Sequence, residues 1–182
     1  MLDGIFKVLG AIEKIASTIA AVFMFAIMMI VFTDVIMRYA FNKPFSWAYD
    51  LISMYLMAGV FFLVLSEAYT SRAHVSVDIL QQKFSPAMIR LSEIVTCIVG
   101  IIVFSLIAYL GFLRAVDSYQ SADVMAGAIP WPMWPSISLV PFGAGLITIR
   151  LAAHLIAHLL SLATGRDMIA LPAQHAVGET FE

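Results

Sequence analysis

The sequence is short of charge, of cysteine and of any basic surplus, and each shortage excludes a class of protein. Only 12% of its 182 residues are Asp, Glu, Lys or Arg, about half the share of an ordinary soluble domain. A disordered tail needs low hydrophobicity, whereas 62% of this chain is apolar. Ten Lys and Arg face twelve Asp and Glu, a net charge of −2, so the cationic excess that nucleic-acid binding draws on is missing. Cys97 is the single cysteine. It excludes a disulfide framework and an internally paired thiol oxidase, and within an apolar run it reads as a packed thiol. No Ser-His-Asp grouping or phosphate loop is present; Gly143 and Gly145 form a Gly-x-Gly that no lysine follows. No catalytic site is expected, and the class that remains is an integral membrane protein.

What is there is a series of long apolar blocks cut by charge. Nineteen uncharged residues lie between Lys14 and Asp34, sixteen between Asp50 and Glu67, twenty between Glu93 and Arg114, and twenty-six between Asp123 and Arg150. About 20 apolar residues cross a bilayer as a helix, and a helix satisfies its own backbone hydrogen bonds there. The alternating short strands of a barrel do not occur. The expected fold is therefore all-α, a single four-helix membrane domain over residues 1–165 with spans at about 13–38, 46–70, 86–117 and 135–162, followed by a polar tail over 166–182.

The punctuation fits these spans. Phe41-Asn42-Lys43-Pro44 breaks the chain, Ser46 is placed to cap the second helix, and Ser85-Pro86 reads as an N-cap followed by proline at the first helical position. The stretch from Ile129 to Pro135 holds three prolines and cannot be helical throughout; its Trp131 and Trp134 suit a membrane–water boundary. Pro141 falls inside the fourth helix. Before the first span, Ile5, Phe6, Val8, Leu9 and Ile12 share a face, with Asp3, Lys7, Glu13 and Lys14 away from it. That segment either lies flat on the membrane or extends helix one. Residues 75–84 alternate apolar and polar side chains and suggest a second short interfacial helix.

Orientation follows from the basic residues. Lys7, Lys14, Arg72, Lys83, Arg90, Arg150 and Arg166 fall on the side of both termini; Arg38, Lys43 and Arg114 fall on the other. Seven against three places both termini in the cytoplasm.

The ionisable groups cluster at the membrane edges. Asp34 and Arg38 are four residues apart on helix one and face the same way, and Asp50 begins helix two just across the loop. These three form either a charged knot that fixes the hairpin or a contact with a partner subunit. At the other edge, Glu67, Arg72, His74 and Asp78 follow helix two, a solvated loop or a place for lipid headgroups or a partner. Arg150, His154 and His158 make an i, i+4, i+8 stripe on helix four, read as a polar face toward the cytoplasm or a partner helix. The alternative is a haem or metal site in a membrane redox anchor. Gly100, Gly111, Gly143 and Gly145 are small enough to let helices approach closely.

The motifs, in order, resemble one family. Helix one ends Asp34-Val35-Ile36-Met37-Arg38-Tyr39-Ala40-Phe41, similar to D-V-x-x-R-Y-x-F; Trp47 and Asp50 stand near a tryptophan followed by acidic residues; Arg72-Ala73-His74-Val75-Ser76-Val77-Asp78 matches R-x-x-H-[IV]-x-[VI]-D; and the last span opens with Ile129-Pro130 and carries Pro141. Over about residues 10–165 the chain resembles the DctQ-like small membrane subunit of tripartite ATP-independent periplasmic (TRAP) transporters. It departs at Tyr49, where the family often has an acid, and at Glu67. The resemblance implies a multi-pass protein of the bacterial inner membrane, an accessory subunit without a cofactor or a substrate site of its own. Its partners would be a large DctM-like elevator subunit driven by a sodium gradient, a periplasmic binding protein for a small organic solute such as a carboxylate, and membrane lipids. Asp34, Arg38, Trp47, Asp50, Arg72, His74, Asp78 and Arg114 are the candidate interface residues.

Overall fold

The computed structural model describes residues 2–71, 86–127 and 129–164. It is all-helical among these residues, with four helices long and apolar enough to cross a membrane. They are α1 (Leu2–Phe41), α2 (Ala48–Thr70), α3 (Pro86–Gln120) and α4 (Trp134–Thr164). Within α2 the residues Ile52–Leu56 wind as a π-helix between α-helical flanks. The interfacial helix expected over residues 75–84 and the tail from residue 166 lie outside the described residues.

Helix α1 begins at Leu2, so the N-terminal amphipathic segment is its first part and not a separate element. Its inward face is Leu9, Glu13, Ala16 and Ala20, all buried, while Val8 and Ile12 point outward. Of the apolar face expected from the sequence, Leu9 is buried and Phe6 lies against Arg150 and His154 while Val8 and Ile12 point outward, and Glu13, expected away from that face, belongs inside. The reason is the solvent. In lipid an apolar side chain gains no hydrophobic free energy from facing a neighbouring helix, whereas a carboxylate needs protein around it.

The helix ends are set locally. Asn42 takes a left-handed conformation, φ 54°, and Lys43 N–H donates to the Met37 carbonyl at 3.1 Å; Pro44 follows. Helix α2 is capped by Trp47, not Ser46, with no side-chain cap bond. The Trp47 carbonyl already accepts the Leu51 N–H at 3.1 Å, so the boundary is fixed by the backbone. Helix α3 opens on Pro86, whose missing N–H is not needed in a first turn.

At the far end of α3, Asp123 N–H reaches the Ser118 carbonyl at 3.1 Å and Ala122 N–H the Tyr119 carbonyl at 3.3 Å. This is a Schellman ending with alanine, φ 50°, at the left-handed position. Ala122 is exposed, so Ala122→Gly is expected to stabilise the protein by about 1 kcal/mol, seen as a higher thermal midpoint in detergent. An unchanged or lower midpoint would show that the turn is not strained.

Between α3 and α4 the chain forms a narrow bridge. Val124 pairs with Pro132, Met125 N–H donates to the Trp131 carbonyl at 2.8 Å, and Met133 N–H to the Asp123 carbonyl at 2.9 Å. The Tyr55 hydroxyl, from the π-helical turns of α2, donates to the Pro132 carbonyl and its ring meets Trp131 edge-on. Tyr119 meets Trp134 in the same manner.

Helix α4 is the centre of the assembly. Of its most apolar stretch 39% is buried, against 11% for α1, 17% for α2 and 11% for α3. It packs on α3 along one flank and on α2 along the other, and α2 carries α1, giving the order α3, α4, α2, α1. Ala16, Ala20, Leu63 and Leu146 join α1, α2 and α4; Cys97, Ile147 and Leu151 join α3 to α4, and the thiol is fully buried as expected. A Cβ on Gly143 would land on the Phe62 backbone carbonyl of α2. Gly100 faces Leu151 and Gly111 faces Pro141, whereas Gly145 has no neighbour within 4 Å.

Candidate partner interface and a buried polar cluster

The expected interface residues divide between the two ends of the molecule. At the end where α1 stops and α2 starts, Asp34 Oδ2 pairs with Arg38 Nη2 at 2.8 Å. Its second oxygen accepts the Phe45 N–H at 2.7 Å. One carboxylate thus ties the last turns of α1 to the loop that leads into α2. Arg38 is 59% exposed and Asp34 14%, so the carboxylate is the structural half of the pair and the guanidinium is presented outward. Trp47 stacks on Phe45 with centroids 5.3 Å apart. Asp50, in the first turn of α2, sits elsewhere than in a three-way knot: its carboxylate lies against Gly127 of the α3–α4 connection. Arg114 pairs with Asp117 at 2.9 Å and lies 3.9 Å from Asp123. Arg72, His74 and Asp78 lie outside the described residues.

At the opposite end a polar cluster is enclosed among the helices. Glu13 of α1 and Arg150 of α4 are 3% and 6% exposed. Arg150 Nη1 stands 3.5 Å from Glu13 Oε2, and the Ser66 hydroxyl of α2 donates to Glu13 Oε1 at 2.6 Å. The guanidinium carbon lies 5.2 Å from the Phe6 ring centre, within cation–π range. His154, one turn beyond Arg150, meets Phe6 and Tyr69 edge-on at 5.5 and 5.4 Å. The Tyr69 hydroxyl is 3.6 Å from Cys97 Sγ.

Helix geometry explains how this forms. Arg150, His154 and His158 do share one face of α4, as their spacing requires. That face, however, turns into the chain's own helices: Arg150 and His158 are buried. The stripe expected to face the cytoplasm or a partner helix is internal, because a cation sixteen residues into α4 lies only about 24 Å from its start, still inside a core of about 30 Å. Glu13 was missed as the counter-charge because the first apolar block begins beyond it, at Ile15. The available signal was that a buried cation in one span calls for an anion in another. The His154 and His158 rings are 6.5 Å apart. Among the described residues no three His, Cys, Asp or Glu converge as a metal site requires.

Several other hydroxyls close on their own helices, while that of the buried Ser118 has no hydrogen-bond partner among the described residues. Thr18 donates to the Lys14 carbonyl at 2.7 Å, Thr33 to Met29 at 2.8 Å, Thr148 to Ala144 at 2.7 Å and Ser161 to Ala157 at 2.8 Å. A hydroxyl bonded back to its own turn has used its one proton there and keeps only acceptor capacity. The two charged clusters at the ends are separated by strongly apolar spans, which offer little to an ion or a polar solute.

Compared with known families, residues 27–161 match the sequence model described as tripartite ATP-independent periplasmic transporters, DctQ component. No curated protein and no solved structure matches the chain.

Proposed function

The chain belongs to the DctQ component family of tripartite ATP-independent periplasmic transporters, and from that membership we propose that it is the stationary brace beside a large elevator subunit. It is a small permease subunit, a transport component of the inner membrane and not an enzyme. In the proposed role it enlarges the fixed part against which the large subunit slides, and its outer end helps to receive the periplasmic binding protein. The cargo is a small organic solute of the carboxylate class, moved by the large subunit with a sodium gradient. Both termini face the cytoplasm: with Arg150 buried inside the bundle, six Lys and Arg remain on that side against three on the other.

The observation that carries this reading is the apolar middle of the chain, four strongly apolar spans with buried charge paired at one end. Such a body suits a brace and offers no route of its own. In reconstituted vesicles this chain alone is expected to take up no solute; uptake should need the large subunit, the binding protein and inward sodium together. Sodium-dependent uptake by this chain alone would overturn the reading. Arg114, Asp34, Arg38, Trp47 and Asp50 are the proposed contacts at the outer end. Arg114→Glu is expected to lower uptake several-fold at low salt and less at high salt, as screening predicts for an exposed charge. Equal uptake at every salt concentration would remove that face from the docking surface.

A further inference from the structure

We propose that the Glu13–Arg150 pair is a register lock that sets the height of α1 against α4 and α2. The argument begins with the rest of that interface. Above the pair, α1 meets its neighbours through Ala16, Ala20 and Phe23, against Leu63, Val64 and Leu146, with the Phe23 ring against Gly59 of α2. Apart from the Phe23 ring these side chains are small or aliphatic, and in lipid no hydrophobic driving force favours one alignment over a neighbouring one. A slide of one turn, about 5.4 Å, keeps the Ala16 and Ala20 face small and requires Phe23 to turn its ring off Gly59.

The charged pair removes that freedom. The residues that a one-turn slide would bring to the place of Glu13 are Leu9, Gly10, Ala16 and Ser17, none of them acidic. In one direction Glu13 itself would meet His154, one turn from Arg150, and leave the guanidinium buried without its counter-charge. Only the observed alignment closes the ion pair at 3.5 Å while Ser66 donates to the second carboxylate oxygen. Phe6 lies against both Arg150 and His154, so the aromatic contact holds in the same alignment. Buried ion pairs are poor sources of net stability, since apolar replacements of the whole pair are often as stable; alignment is the use for which they are best suited. The pair therefore specifies which arrangement forms, and through α1 it fixes where Asp34 and Arg38 stand at the other end.

The test measures alignment separately from stability. The full chain, in a Cys97→Ser background, is spin-labelled at Val22→Cys and Ile149→Cys and placed in lipid nanodiscs. Both positions are more than half exposed, at 59% and 54%, so the labels avoid the core. Val22 lies nine residues beyond Glu13, roughly 13 Å along the axis, so a slide of α1 changes the inter-label distance. The unmodified pair is expected to give one distance. The neutral double variant Glu13→Gln with Arg150→Met is expected to be recovered in comparable amount but to show two populations, separated by up to about one helical turn. The exchange Glu13→Arg with Arg150→Glu should restore the single distance. A single native distance in the neutral double variant would overturn the proposal, and so would an exchange variant with the same two populations. Neither reading depends on the large subunit, so failure here is distinct from failure of the transport role.

Discussion

Replacing Gly143 with valine is expected to part α2 from α4 and to abolish a monodisperse peak on size exclusion in detergent. The Cβ of any residue here would fall on the Phe62 carbonyl oxygen, within 2.6 Å of its carbon and 2.7 Å of the Phe62 Cβ. These are mostly backbone atoms of a neighbouring helix, which no rotamer change can move. Overpacking a close contact costs about 1–3 kcal/mol, at times more, and here the two helices must separate along their whole crossing. In lipid that separation is not offset by hydrophobic collapse, because helix association rests on close van der Waals contact. Alanine is expected to weaken the same contact to a lesser degree. Gly145→Ala supplies the control: two residues away on the same helix, its Cβ meets nothing within 4 Å, and alanine favours a helix over glycine by roughly 1 kcal/mol. A Gly143→Val protein with the native profile would mean that α2 and α4 do not cross at this point.

Glu13→Ala is expected to lower stability by about 3–5 kcal/mol, the usual effect of removing one partner of a buried ion pair. Arg150 would remain enclosed with Phe6 and His154 around it and no anion at 3.5 Å, and the Ser66 hydroxyl would lose its acceptor. Asp34→Ala is the contrasting case. Arg38 is 59% exposed, and exposed pairs contribute at most about 1 kcal/mol; the lost Phe45 N–H bond adds a similar amount. Thermal midpoints in detergent separate the two, and salt provides a second discriminator. High salt should erode the Asp34–Arg38 contribution and leave the Glu13–Arg150 contribution nearly intact, because screening acts on exposed charge. Equal midpoints for the two variants would refute the enclosure of Glu13.

The parts of the molecule legible in the sequence are those that the bilayer dictates. Charges at Lys14, Asp34, Asp50, Glu67, Glu93, Arg114, Asp123 and Arg150 bracket four apolar runs, and runs of that length have one stable conformation in hydrocarbon. The spacing of Asp34 and Arg38 foretold their pairing, which the structure closes at 2.8 Å. What was not legible is which side of each helix faces protein. Leu9 and Val8 are equally apolar, yet Leu9 is buried and Val8 is 61% exposed; in lipid, hydrophobicity does not distinguish the two environments. Small size and charge do, as Ala16, Ala20, Glu13 and Gly143 show, and a reading built on apolar stripes overlooks both. The cap of α2 was misjudged for another reason. Ser46 has the side chain of a good cap, but the backbone around Trp47 reached its helical bond first.

The π-helical turns at Ile52–Leu56 bear on how one rod can serve two neighbourhoods. A π turn takes up a residue more than the α path needs, and each residue swings a helix through roughly 100°. The stretch therefore works as a coupling sleeve: the rim of α2, with Asp50 and Tyr55, is clocked to the α3–α4 bridge, while its shaft, with Leu63 and Ser66, is clocked to α1 and α4. Without that extra residue, one of the two settings would have to give way to the other.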